Sequence, residues 1–170
     1  MEAFLFYVFA IVAIVSASLM ISFRHPVYSA LSLVTTLFCV AGLFILLSAH
    51  FIAAVQILVY AGAIMVLFLF VIMLLNVRRI EEPRMRSRVG MGLGAVLVGV
   101  FLVEVVSGIG QGVTYGRPGN YPVTEVERVG NTEVVGKLLY TEYIFPFEVA
   151  SLILLVALLG AVVLAKRRTQ

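Results

Sequence analysis

The chain alternates long uncharged apolar runs with short clusters of basic residues. No charged side chain interrupts the run from Ala3 to Phe23, which Glu2 and Arg24 bound. From His25 to Val77 there is again no Lys, Arg or Glu. About 20 apolar residues carry a helix across roughly 30 Å of hydrocarbon, so this second run is too long for one crossing. Ser48-Ala49-His50 divides it. The pattern predicts five membrane-spanning helices, near residues 3–23, 27–47, 51–75, 89–109 and 147–165, as a single transmembrane domain over 1–170. Pro26 and Pro146 stand where the second and fifth spans begin, a position at which proline removes no helical hydrogen bond.

A long loop, 107–144, separates the last two spans. Gly108, Gly110, Gly112, Gly116, Pro118, Gly119 and Pro122 predict an irregular first half. Asn131 to Tyr143 predicts a short helix with an Asn or Thr cap and Glu133 in its first turn. Tyr140, Tyr143, Phe145 and Phe147 gather where the fifth span enters the membrane, as an interfacial aromatic belt does.

Five crossings leave the two ends on opposite sides. Arg24, Arg78, Arg79, Arg84, Arg86, Arg88, Lys166, Arg167 and Arg168 fall on one side, and Arg117, Arg128 and Lys137 on the other. Positive charge concentrates on the cytoplasmic side. The expected orientation is N-terminus outside, C-terminus cytoplasmic, with 107–144 as an outer loop.

Composition supports the class. Of 170 residues 62% are hydrophobic and 12% charged, where a soluble domain has ~25% charged. Mean hydropathy is +1.13. This excludes a soluble globule, which would expose too much apolar surface, and a disordered chain, which needs low hydrophobicity. The net charge of +3 follows topology and does not point to nucleic acid. Met1-Glu2-Ala3-Phe4 lacks the basic start of a cleaved signal, so the first span is expected to be retained. Cys39, the one cysteine, reads as a small buried hydrophobe. His25 and His50 fall on opposite sides of the membrane and cannot pair as haem ligands.

Polar groups inside hydrocarbon are costly and mark functional sites. Glu104 lies in the fourth span. Gln56 and Tyr60 lie four apart in the third, on one helical face. Two readings stand: these three form an intramembrane polar path, or Glu104 snorkels or pairs with a neighbour while Gln56 and Tyr60 glue helices together. Glu148, two residues after Pro146, reads as a partner of the fifth helix's dipole. The chain has no nucleotide loop, catalytic triad or ligand cluster. Any redox or hydrolytic centre it serves lies on another chain, and no metal or cofactor is expected on this one.

The third span, Phe51 to Asn76, contains Val59-Tyr60-Ala61-Gly62-Ala63-Ile64-Met65-Val66-Leu67. Arg24-His25-Pro26-Val27 opens the second span, and Gly136-Lys137-Leu138-Leu139-Tyr140-Thr141 and Pro146-Phe147-Glu148-Val149-Ala150-Ser151 open the fifth. These segments resemble chain J of bacterial proton-pumping NADH–quinone oxidoreductase, chain 6 of the mitochondrial enzyme. The resemblance implies a non-redox subunit in the membrane arm of respiratory complex I, in a bacterial inner membrane. Its neighbours would be lipid and the subunits around the quinone cavity and first proton path. FMN, iron–sulfur clusters and quinone would sit on other subunits. In the family the third helix can carry a π-bulge near the matching tyrosine and glycine, and its return to α-helix is proposed to open or close a water path. That implies a hinge at Tyr60, Gly62, Met65 and Phe68, coupling quinone reduction to proton translocation. The resemblance gives Glu104 no role, and some relatives carry an acid where this chain has Gln56. Two other functions fit the residues: a stand-alone proton-coupled transporter using Glu104, or a purely structural assembly subunit.

Overall fold

The computed structural model describes residues 1–75, 88–110 and 123–166, apart from the side chains of 88–91, 109, 110, 123 and 125. The basic residues at 78, 79, 84, 86, 167 and 168, and the glycine-rich stretch 111–122, lie outside the described residues. All regular structure among those described is helical: α1 (Glu2–Ser22), α2 (Pro26–Leu46), α3 (His50–Leu74), α4 (Arg88–Gly110), α5 (Val123–Val129), α6 (Asn131–Thr141) and α7 (Ile144–Ala165). Helices α1, α2, α3 and α7 are long and apolar enough to cross a membrane, and α4 holds a shorter apolar stretch, Gly92–Gly108. The chain is thus an all-helical membrane protein.

The helices fall into two compact units, one with α1–α3 and α5–α7 and one with α4. In the first, α1 and α2 form the tightest pair. Their contact has a polar element and a steric one. Ser16 is buried, and its hydroxyl lies 2.8 Å from that of Thr36. Gly42 sits beneath the ring of Phe9; a Cβ there would come within 2.8 Å of the ring carbons. Other hydroxyls of the pair bond back to their own helix, as Ser18 does to the Ile14 carbonyl, Ser32 to Tyr28 and Thr35 to Leu31, while Ser29 of α2 donates across to the Met20 carbonyl of α1. Such back-bonding satisfies a donor that hydrocarbon cannot.

Pro26 is the first residue of α2, as the proline position predicts. The break at Ser48-Ala49-His50 is also where the sequence puts it. Ser48 adopts φ 57°, its N–H donates to the Ile45 carbonyl, and the Ala49 N–H donates to Phe44. These two bonds form a Schellman closure, with serine where glycine is usual.

The loop between the last two spans differs from expectation. Residues 123–129, expected to be irregular, form α5. Helix α6 is capped by neither Asn131 nor a threonine. Its N-cap is Gly130, at φ 97°, a backbone state that favours glycine. Helix α7 starts at Ile144, three residues before the predicted 147. Glu148 is therefore its fifth residue, past the first turn where a dipole partner would sit. The aromatic cluster forms in part, with Tyr140 and Phe147 edge to face at 5.2 Å. No residue of α7 is buried, and its apolar sides are open to lipid or to another protein surface.

Because the Phe9 ring already fills the space over Gly42, Gly42→Val should lower stability by about 1–3 kcal/mol through overpacking. Gly42→Ala should cost less, since the ring's outer edge can swing away. Thermal unfolding of the purified protein in mild detergent checks this; equal midpoints for wild type and Gly42→Val would refute the packing.

Candidate functional site

Helix α3 is continuous from His50 to Leu74 but not uniformly wound. It is α-helical over His50–Val55, π-helical over Gln56–Ile64 and α-helical again over Met65–Leu74. At the far end of the wide segment the Met65 N–H donates to the Tyr60 carbonyl, five residues back. π-winding is rare and concentrates at functional sites. Tyr60 and Gly62 lie inside the wide segment, and Met65 is the first residue beyond it.

The winding decides which side chains face inward. Along α3, beside the half-buried Phe51 and Val55 of the first turns, a buried or half-buried stripe runs through Ala53, Gln56, Ala61, Met65, Leu69 and Ile72. Their spacing is three or four except for one step of five, from Gln56 to Ala61, inside the π segment. A regular α-helix would continue from Gln56 to Tyr60, Ile64 and Phe68. The wide turn instead sets Ala61 (5% exposed) and Met65 (5%) against α2, and leaves Tyr60 (49%) and Phe68 (48%) on the open flank. Gln56 and Tyr60, expected on one face, are thus divided: Gln56 is 9% exposed and Tyr60 is half out.

Gly62 makes the segment possible at close quarters. A Cβ built there would lie 3.1 Å from the Ile57 carbonyl oxygen, five residues earlier. Its small neighbours Ala61 and Ala63 add little bulk.

Glu104 lies on α4, in the other unit, and is exposed; its neighbour Ser107 donates to the Glu104 backbone carbonyl. Cys39 is buried, as a small hydrophobe would be. His25 lies in the α1–α2 turn and His50 at the start of α3, so α2 separates them. Among the described residues no three His, Cys, Asp or Glu side chains gather as a metal site would need. One contact was not foreseeable from spacing. The Asn131 side-chain oxygen accepts the backbone N–H of Phe51 at 3.2 Å, tying the start of α6 to the first turn of α3.

Comparison with known proteins gives a consistent result. The family described as NADH-ubiquinone/plastoquinone oxidoreductase chain 6 matches residues 16–164. An NADH-ubiquinone oxidoreductase chain 6 from Marchantia polymorpha is 38% identical over 174 aligned positions, covering 97% of this chain and 87% of the relative. The chain 6 of Cyanidium caldarium is 37% identical, covering 94% and 82%. An NADH-quinone oxidoreductase subunit J from Rhodobacter capsulatus is 36% identical, covering 96% and 81%.

The inward register yields a direct test. With π-winding, Met65→Cys should react slowly and Ile64→Cys quickly with a membrane-permeant maleimide. Adding Gly62→Ala should favour α-winding by about 1 kcal/mol from helix propensity, roughly five-fold, before the contact with Ile57 is counted. The two labelling rates should then converge or reverse; an unchanged ratio would show that Gly62 does not govern the winding.

Proposed function

The chain belongs to the family of NADH-ubiquinone/plastoquinone oxidoreductase chain 6, which includes the bacterial subunit J, and from that membership we propose that it couples quinone reduction to proton translocation through its third helix. It is a membrane-arm subunit of respiratory complex I, part of an NADH:quinone oxidoreductase whose other subunits are its partners. NADH, flavin, iron–sulfur and quinone chemistry take place on those subunits; this chain carries no catalytic centre of its own. In the proposed arrangement it crosses a bacterial inner membrane five times, with the N-terminus outside and the C-terminus in the cytoplasm. Its neighbours are lipid and the chains that form the quinone cavity and first proton path.

The observation that carries the reading is the π-wound segment Gln56–Ile64 and the single step of five it introduces into the inward stripe. Closing that segment to α-helix removes one residue from the count. Ala61, Met65 and Leu69 then leave the inward face, and Tyr60, Ile64 and Phe68 take their places. One residue of α-helix corresponds to about 100° of rotation and 1.5 Å of rise. A change at the quinone cavity that favours one winding by a few kcal/mol is thereby converted into a repacking in which Ile64 replaces Met65 and aromatic rings replace Ala61 and Leu69, with the Tyr60 phenol brought onto the stripe of the Gln56 amide. Such an exchange opens or closes a path for water. Tyr60, Gly62, Met65 and Phe68 are the moving parts. Gln56 is the polar group they turn past, and as a neutral amide it orients water without carrying a proton. Glu104 enters only as an intramembrane carboxylate able to hold a proton on its own helix.

Gly62→Leu should leave NADH oxidation by an artificial hydrophilic acceptor intact and reduce quinone-linked proton pumping. Equal loss of both activities would count against coupling. For Glu104 the informative change is Glu104→Leu: full assembly and full pumping in that variant would remove Glu104 from the path. Topology is read by cysteine labelling in sealed vesicles, where positions 24 and 137 should react from opposite sides; reaction from one side would overturn the five-span arrangement.

A further inference from the structure

A change of winding turns one flank of a helix against the other, and the winding alone does not decide which flank moves. One end must be held. In α3 the His50 end is. Its N-cap, Ala49, has no side chain that accepts a hydrogen bond, and the first turn of any helix leaves backbone N–H groups without intrahelical partners. One of these, the Phe51 N–H, donates to Asn131 Oδ1 at 3.2 Å, from 80 residues away in sequence. Gly130, at φ 97°, turns the chain immediately before Asn131 and caps α6 in its place. The Asn131 side chain is thereby directed to α3 instead of its own helix. The same end is packed: Val134, one turn along α6, and Ala53 of α3 are both buried, and α6 lies against the first turns of α3. Past the π segment the surroundings change. Met65–Leu74 packs against α2 alone among the other helices of its own unit, with Val66, Leu67, Phe68 and Phe70 exposed.

We infer that Asn131 is a positioning residue, an N-cap supplied in trans that pins the first turn of α3, so that any change of winding within Gln56–Ile64 is delivered to the Met65–Leu74 flank. The inference rests on the proposed role of α3 as a switch. What the pin requires is an acceptor of the right reach at position 131. An aspartate carboxylate supplies one and a leucine of similar size does not.

The test uses the intact complex in native membranes, with three readouts: assembled complex, NADH oxidation by an artificial acceptor, and protons translocated per NADH. Asn131→Leu should assemble and keep the artificial-acceptor rate. Losing one hydrogen bond shifts a held end toward release by about 2- to 10-fold, so protons per NADH should fall. Asn131→Asp should restore the ratio. A normal ratio in Asn131→Leu, beside a lowered one in Gly62→Leu, would sink the pin and leave the switch standing. Normal ratios in both would sink the two together. Failure of Asn131→Asp to rescue would also overturn the inference, because the acceptor would not be what matters. If Asn131→Leu does not assemble, Asn131→Ser, too short to reach Phe51, provides the reading; failure of that variant too would make Asn131 an assembly residue and defeat the proposal.

Discussion

Hydrocarbon offers no hydrogen bonds, so each backbone N–H and carbonyl within a span must find its partner inside the protein. The rest of the structure follows from that demand. It makes the chain helical and makes hydroxyls of α1 and α2 bond back to carbonyls one turn earlier. It also limits how a transmembrane helix can change shape. Breaking α3 open would strand polar groups at several kcal/mol each. Rewinding it would not, because π-winding keeps donors and acceptors paired and only lengthens the loop between partners from four residues to five. The Met65 N–H still has a carbonyl, that of Tyr60. Two windings of one segment can therefore lie close in free energy even in lipid, which no partly unwound state can.

What distinguishes the two windings is packing, and packing is set by side-chain size at a few positions. The inward stripe of α3 passes through Ala53, Gln56, Ala61 and Met65, small or flexible groups on a helix that packs against α2, whose own buried residues, Ala30, Cys39 and Ala41, are also small. Met65 is unbranched and adapts to an irregular gap. Gly62 stands within the wide turn, where a Cβ would lie 3.1 Å from the Ile57 oxygen. Had a β-branched residue stood there, the carbonyl would have to give way, and the wide turn would lose its advantage over the narrow one.

Much of this was legible in the sequence, for reasons that differ by element. The spans were readable because a charge inside hydrocarbon is so unfavourable that its absence over His25–Val77 is itself a signal. The break at Ser48 and the start of α2 at Pro26 were readable because local chemistry dictates them. Tyr60, Gly62, Met65 and Phe68 could be singled out through resemblance alone. Periodicity could not show the extra residue, since an unbroken apolar segment such as Ile57–Leu75 has no polar face to reveal its phase. For that reason Gln56 and Tyr60 were placed on one face that the structure divides. Helix α5 was missed because glycine and proline just upstream masked a short helix. The role of Asn131 was missed because a cap 80 residues distant leaves no trace in local spacing.

Asn131 also resolves a difficulty in the coupling reading. A helix in fluid surroundings that gains or loses a residue of winding can dissipate the change by turning at whichever end resists less. Rotation then does no work on any particular neighbour. With the first turn tied through Phe51 and buried at Ala53, the resisting end is the one at α6, and the compliant end is the flank that bears Met65 and Phe68. A switch of this kind needs small opposing free energies at its centre and a larger one at its anchor. A hydrogen bond from a backbone N–H to a side-chain oxygen, reinforced by two buried side chains, supplies the larger, and a glycine between two alanines supplies the smaller. The anchor's position outside the π segment is then required: if it lay within Gln56–Ile64, it would stabilise one winding over the other and remove the freedom it is there to direct.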